Sequence, residues 1–267
     1  MFEMTTYDLL TKIHEGRVCR ITLNRPEVHN AFNAQLIAEL RSAFEDIAAQ
    51  VQAGDVRAVV LAGAGKSFSA GADVNWMRES LAYSEEENRA DARRMAEMLD
   101  SINSCPVPVI GRIHGAALGG GAGLAAVCDV VIAANGTSWA FSEVKLGIAP
   151  AVISPYVLAK IGRGHARALF LTGERFTTER AVQIGLAHFM VEPEELDVEV
   201  ERVVKEILNS SPRAIMRAKE LIAQVPALSP SDAMTVTVNT ISALRTSSEG
   251  QEGLRAFLER RKPGWVE

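Results

Sequence analysis

The chain has 267 residues, 48% of them hydrophobic and 23% charged, with a formal net charge of −5. That balance suits a chain burying a sizeable core and excludes a disordered polymer. Lys and Arg are scattered apart from a short run at Arg260, Arg261 and Lys262, which argues against a nucleic-acid partner.

The longest apolar runs are interrupted well short of about 18 residues, so no membrane span is expected. The opening MFEMTTYDLLTKIHEG carries acidic residues and no basic segment leading into an apolar one, unlike a secretory or transit peptide. Cys19, Cys105 and Cys128 are odd in number and form no CxxC, which fits a reduced, cytoplasmic setting.

In chain order, VCRITL (18–23) alternates as a strand does, and NRPE (24–27) makes a turn. Leu36, Leu40, Phe44, Ile47 and Val51 recur at helical spacing across 34–53. RAVVLAG (57–63) reads as a buried strand. Residues 85–104 read as a helix with Met95, Met98, Leu99 and Ile102 on one side. VPVIGRI (107–113) and CDVVIAA (128–134) are further strands, and the alternation indicates an α/β fold. Beyond residue 150 helical patterns take over, at 151–160, 163–172, 177–184, 195–209, 212–224, 231–245 and 249–261. Ser211-Pro212 marks a helix start there, since proline suits a first turn. The break near 195 is expected to divide an α/β core (1–194) from a helical layer (195–267).

Two glycine-rich stretches invite a phosphate-binding reading, and both fail it. GAGKS (63–67) lacks the first glycine of a P-loop, because Val60 stands there. HGAALGGGAG (114–123) gives no GxGxxG, because Leu124 occupies the third position. Tight helix–strand packing is one explanation for such glycines. The other is that small residues let a substrate carbonyl reach main-chain N–H groups, aided by a helix starting near Gly119 or Gly120. A second donor stretch is available in SFSAGAD (67–73), where Ala70 and Gly71 are small and Asp73 is placed to cap a helix.

FSAGAD (68–73), HGAALGGGAGLAAVCDVVIA (114–133) and FSEVKLGIAP (141–150) resemble, in order and spacing, the enoyl-CoA hydratase/isomerase (crotonase) superfamily. TLNRPEVHNAFN (22–33), SPRAIMRAKELI (211–222) and AFLERRKPGW (256–265) are similar to it as well, so the likeness covers nearly the whole chain. The resemblance implies a spiral of ββα turns with a C-terminal helical region that joins subunits into a homotrimer, often stacked as a hexamer. It implies acyl-CoA as substrate, with coenzyme A part of that substrate and no separate cofactor. It assigns the two oxyanion amides to Ala70 and Gly120, and main-chain contacts with the CoA arm to Ala70, Gly71, Ala72 and Asp73. Glu27 and Val28 would line the nucleotide end, and Phe257 and Arg260 would reach the CoA of a subunit.

Hydratases of this family commonly use two glutamates. At the first position, three residues after the oxyanion glycine, Gly123 stands here. At the second, Glu143 is present among Trp139, Phe141 and Val144, where apolar company should raise its pKa. Glu143 is therefore the expected acid and base. His114 precedes the glycine helix, and His14, His29, His165 and His188 are isolated. No HxH, HExxH or carboxylate cluster suggests a metal, and no GxSxG suggests a serine hydrolase.

Glu143 paired with Gly123, SEVKLGIAPAVISPYV in place of a PGAGGTQ-like segment, and ADVNWM (72–77) resemble a subgroup acting on 3-methylglutaconyl-CoA. A generic 2-enoyl-CoA hydratase and a Δ3,Δ2-enoyl-CoA isomerase are the alternatives within the enzyme class. A non-catalytic acyl-CoA-binding trimer is the alternative outside it. Acyl selectivity is expected from Trp76, Met77 and Arg78 and from Ile153 to Tyr156.

Overall fold

The computed structural model describes residues 7–52 and 54–266. Its centre is a six-stranded sheet in the order β1-β2-β3-β4-β6-β9. The strands are β1 (Leu10–Glu15), β2 (Val18–Leu23), β3 (Ala58–Gly63), β4 (Val109–Ile113), β6 (Val130–Ala134) and β9 (Phe189–Val191). Only β1 runs antiparallel, pairing Leu10 with Leu23 across a tight turn, and the remaining ladders are parallel. A smaller sheet packs β5 (Ala116–Leu118), β7 (Ser138–Ala140) and β8 (Arg175–Phe176) in that order.

Every residue of β3 is buried, as parallel ladders covered on both faces require. Val59 and Leu61 face the larger core, with α1 (Ala34–Gln52) and α3 (Glu85–Asn103). Ala58 and Val60 face a second cluster formed with Leu196, Val200, Val203 and Val204 of α7 (Leu196–Asn209). This second cluster revises the division expected at 195. Helix α7 covers the sheet and belongs to the core, so the helical layer beyond the sheet's own cover begins at α8 (Pro212–Gln224), which packs Met216 against the larger core. It continues through α9 (Pro230–Thr246) and α10 (Ser248–Leu258).

The expected long helices and buried strands are present. The two helices anticipated at 151–160 and 163–172 are present as the two halves of α5 (Ser154–Thr172), separated at non-helical Gly162 with φ 68° and ψ 167°. Two short helices bear on the site: α2 (Val74–Ser80) and α4 (Gly120–Ala126). Between α5 and α7 lies α6 (Thr178–Gln183). Among the described residues no helix is long and apolar enough to cross a membrane.

Candidate active site

A cleft of about 360 Å³ opens between the 70–72 loop, α2, α3, the start of α4 and the segment from Ser142 to Val152. Its floor is main chain. Residues 68–73 are stitched between β5 and Phe32: Ser69 N donates to Ala116 O, Leu118 N to Ser69 O, and Asp73 N to Phe32 O. Gly71 is required where the stitching brings the two glycine-rich stretches together. Its φ is +91°, and a Cβ there would stand 2.7 Å from Leu118 O and 3.6 Å from Gly120 N.

Asp73 caps α2 as expected, accepting from Asn75 N at 2.8 Å and from Arg25 at 2.8 Å. Burial pushes its carboxyl up, but the Asn75 amide and the Arg25 guanidinium outweigh that and hold it below the usual carboxylate range. The loop is anchored from below by Asn30, fully buried with φ 54°. Its carboxamide donates to Ala64 O and Ser67 O, its Oδ1 accepts from Arg25 N, and its carbonyl accepts from Ser69 Oγ.

Five small residues line the floor: Ala70, Gly71, Ala72, Gly119 and Gly120. Three of their N–H groups are engaged. Ala70 N donates to His29 O at 2.9 Å, Gly119 N to Ala140 O at 2.8 Å, and Gly71 N to Ser69 Oγ at 3.3 Å. Ala72 and Gly120 donate to nothing among the described residues. Gly120 is open because it is the first residue of α4 and has no carbonyl one turn behind it. Ala72 is open because its parallel bridge to Phe32 uses only the neighbouring Gly71 O and Asp73 N. The pair of open donors is therefore Ala72 and Gly120. The sequence expectation of Ala70 is corrected by two residues, since its amide donates to His29 O.

Above the floor stands Glu143, at the start of a short 3-10 turn, Glu143–Leu146. A Cβ on Gly119 would be 3.3 Å from its Oε1 and 3.7 Å from its Cδ, so the carboxyl lies against the glycine backbone. Its Oε2 is shielded from solvent and has no hydrogen-bond partner among the described residues. Burial pushes its pKa up, opposed only in part by a main-chain hydrogen bond. Trp139 and Phe141, within four residues of Glu143 in the chain, are both fully buried, and Phe141 meets Phe170 edge-on at 5.1 Å between centroids. An unpartnered carboxyl oxygen in a cleft floored by two free donors suits enolate chemistry. The donors hold a developing oxyanion, and the carboxyl gives and takes the proton.

Gly123, on the buried side of α4, does not line the cleft. A Cβ there would be 2.1 Å from Ile153 Cγ2 and 2.7 Å from Ile153 Cβ. The volume a side chain at 123 would need is filled by Ile153, itself 3% exposed.

A family profile described as enoyl-CoA hydratase/isomerase matches residues 14–267. The chain belongs to the enoyl-CoA hydratase/isomerase family. It is 30% identical to a crotonyl-CoA hydratase of Syntrophomonas wolfei over 97% of this chain and 98% of that one. A short-chain-enoyl-CoA hydratase of Clostridium acetobutylicum is 30% identical over 93% and 94% of the two chains. Among solved structures, an enoyl-CoA hydratase from Shewanella pealeana superposes with a TM-score of 0.91 at 36% identity, covering 97% of this chain and 96% of that one.

Not every residue implied by the family resemblance gathers at the cleft. Glu27 and Val28 lie on a 3-10 turn, Pro26–Val28, that packs beside Gly65 at the edge of the loop. Phe257 is 81% exposed and Arg260 is exposed too, and neither lines the cleft of its own chain. His114 is used structurally: its Nε2–H donates to Gly65 O and burial lowers its pKa, leaving Nδ1 to accept from Arg112. Asp91, Asn88, Ala92 and Met95, lining residues from α3, had not been singled out as site residues. Asp91 is the member a sequence signal marks, as a carboxylate within the buried stripe of an otherwise amphipathic helix.

Proposed function

We propose that the chain adds water reversibly to a 2-enoyl-CoA thioester. In this reading the amides of Ala72 and Gly120 hold the thioester oxygen and Glu143 alone serves as acid and base. The observation that carries it is the solvent-shielded, unpartnered Oε2 of half-buried Glu143, which shares one cleft with two unengaged main-chain donors. Enolate charge forms on the oxygen that the two amides face, where fixed dipoles act without reorganising. The test is Glu143→Gln assayed by loss of enoyl-thioester absorbance, with binding of the saturated thioester measured in parallel. Turnover should vanish while binding persists; near-normal turnover would sink the one-carboxylate mechanism.

A second reading, Δ3,Δ2-enoyl-CoA isomerisation, is favoured by the filled space at Gly123, because moving a proton between two carbons needs one base only. Supplying a 3-enoyl thioester separates the two: an isomerase makes the 2-enoyl product without net hydration.

The single carboxylate also supports a substrate branched at C3, because a tertiary hydroxyl departs more readily than a secondary one. 3-Methylglutaconyl-CoA is the proposed acyl group on that ground, against simple crotonyl-CoA as comparator. Its distal carboxylate gains no support from the cleft, whose lining contains Asp91 and Glu143 but neither Lys nor Arg. C3 branching is therefore the part of that proposal we retain first. Assembly as a homotrimer or hexamer completes the reading. It is supported by exposed Met234, Val238 and Ile241 along α9 and Leu254, Phe257 and Leu258 on α10, and light scattering measures it directly.

A further inference from the structure

The far end of the cleft is polar in a way the reaction does not use. Along α3 the lining residues are Met95, Ala92, Asp91 and Asn88. Met95 touches the oxyanion floor, since its Cε would be 3.3 Å from a Cβ on Gly120. A helix rises about 1.5 Å per residue, so Asp91 stands roughly 6 Å further from the thioester end, and Asn88 further again. With the thioester oxygen at Gly120, positions this far along α3 are within reach of a distal acyl chain and not of the reacting carbons.

Two features there bear on a ligand, one an unsatisfied donor and the other an acceptor with a spare oxygen. The Trp76 indole Nε1–H, on α2, is shielded from solvent and has no acceptor among the described residues. A buried donor left unpaired is costly, which points to an acceptor supplied by a ligand. Across the cleft, Asp91 is 8% exposed. Its Oδ1 receives Arg94 at 2.8 Å, and its Oδ2 takes no donor among the described residues. Asn88 uses both amide hydrogens on Tyr83 O and Ser84 O, leaving only acceptor capacity. An aliphatic tail would strand the indole donor. A carboxylate would face Asp91, whose cationic partner Arg94 does not itself line the cleft. A hydroxyl both accepts from the indole and donates to the carboxylate, and it brings no charge.

We propose that the distal cleft selects acyl groups bearing an uncharged hydroxyl, held between the Trp76 N–H and the Asp91 carboxylate. The inference rests on the acyl-thioester reading of the cleft and names the class of acyl group within it. Calorimetry with non-reacting saturated thioesters tests it: hexanoyl-CoA, its derivatives hydroxylated beyond C3, where the proposed hydration cannot act, and the carboxylate-ended adipoyl-CoA. At least one hydroxylated ester should bind about tenfold more tightly than hexanoyl-CoA, the gain expected of two net hydrogen bonds, with adipoyl-CoA the weakest. The preference should fall to near unity in Trp76→Phe and in Asp91→Ala. Hexanoyl-CoA binding as tightly as every hydroxylated ester, adipoyl-CoA binding tightest, or a preference unchanged in Trp76→Phe would each overturn the inference alone. Failure of every thioester to bind would instead overturn the reading beneath it.

Discussion

Gly123 and Ile153 form a lock whose strength can be worked from the structure. Gly123→Ala places a methyl 2.1 Å from Ile153 Cγ2 and 2.7 Å from its Cβ, both far inside van der Waals contact. Overpacking of this kind costs about 1–3 kcal/mol, and two contacts to a buried, branched side chain put it at the upper end. Ile153→Gly removes the obstruction but empties a buried site, at about 3–5 kcal/mol. Alanine at 153 would not suffice, because the Cβ itself is one of the obstructing atoms. In the double variant the new methyl enters the emptied space, so its destabilisation should fall short of the sum of the singles by about 1–3 kcal/mol. Urea unfolding at fixed protein concentration measures all four proteins. A Gly123→Ala variant within about 0.5 kcal/mol of the parent, or strict additivity, would refute the reasoning.

Glu143 should leave a signature in stability as well as rate. Its folded pKa is raised by burial. Stability from the protonated form is therefore fully present below the unfolded value, about 4.3, and is lost as pH rises through the folded value. Glu143→Gln should melt higher than the parent at neutral pH, with the gap closing on acidification; a gap that widens in acid would contradict the burial. Replacing the main-chain amide of Ala72 by an ester deletes one open donor and should lower kcat by about 10²–10³. The same replacement at Ala70 removes the bond to His29 O and should cost about 1 kcal/mol of stability with little change in kcat. A reversed pattern would restore Ala70 as the donor.

Periodicity exposed the long elements because burial on one face forces it. Helices α1 and α3, and strands β2, β3, β4 and β6, lie within two residues of the spans read from sequence. Strands β5, β7, β8 and β9 are only two or three residues long, too short for alternation to register. Strand β1 was hidden by LTKIHE, an edge strand whose residues after Leu10 are partly or fully exposed. At the site, Glu143 was legible because its apolar neighbours are adjacent in sequence. The oxyanion donor was misplaced by two residues because small side chains at 70, 71 and 72 look alike. Which N–H is free depends on Phe32 and His29, some forty residues away. Ile153 as the occupant of the space at Gly123 left no trace in either local stretch.

Asn30 shows how sequence scanning and geometry can part company. It does not line the cleft, yet its side chain and main chain together fix the Arg25 turn, the 64–67 bend and Ser69 in one arrangement. The positions of the 70–72 amides are inherited from that arrangement. In a saturation library scored by turnover, Asn30 would therefore rank beside Glu143 in intolerance, although it meets no substrate atom. Its neighbour Glu27, exposed on the same turn, would accept most replacements without loss of fold.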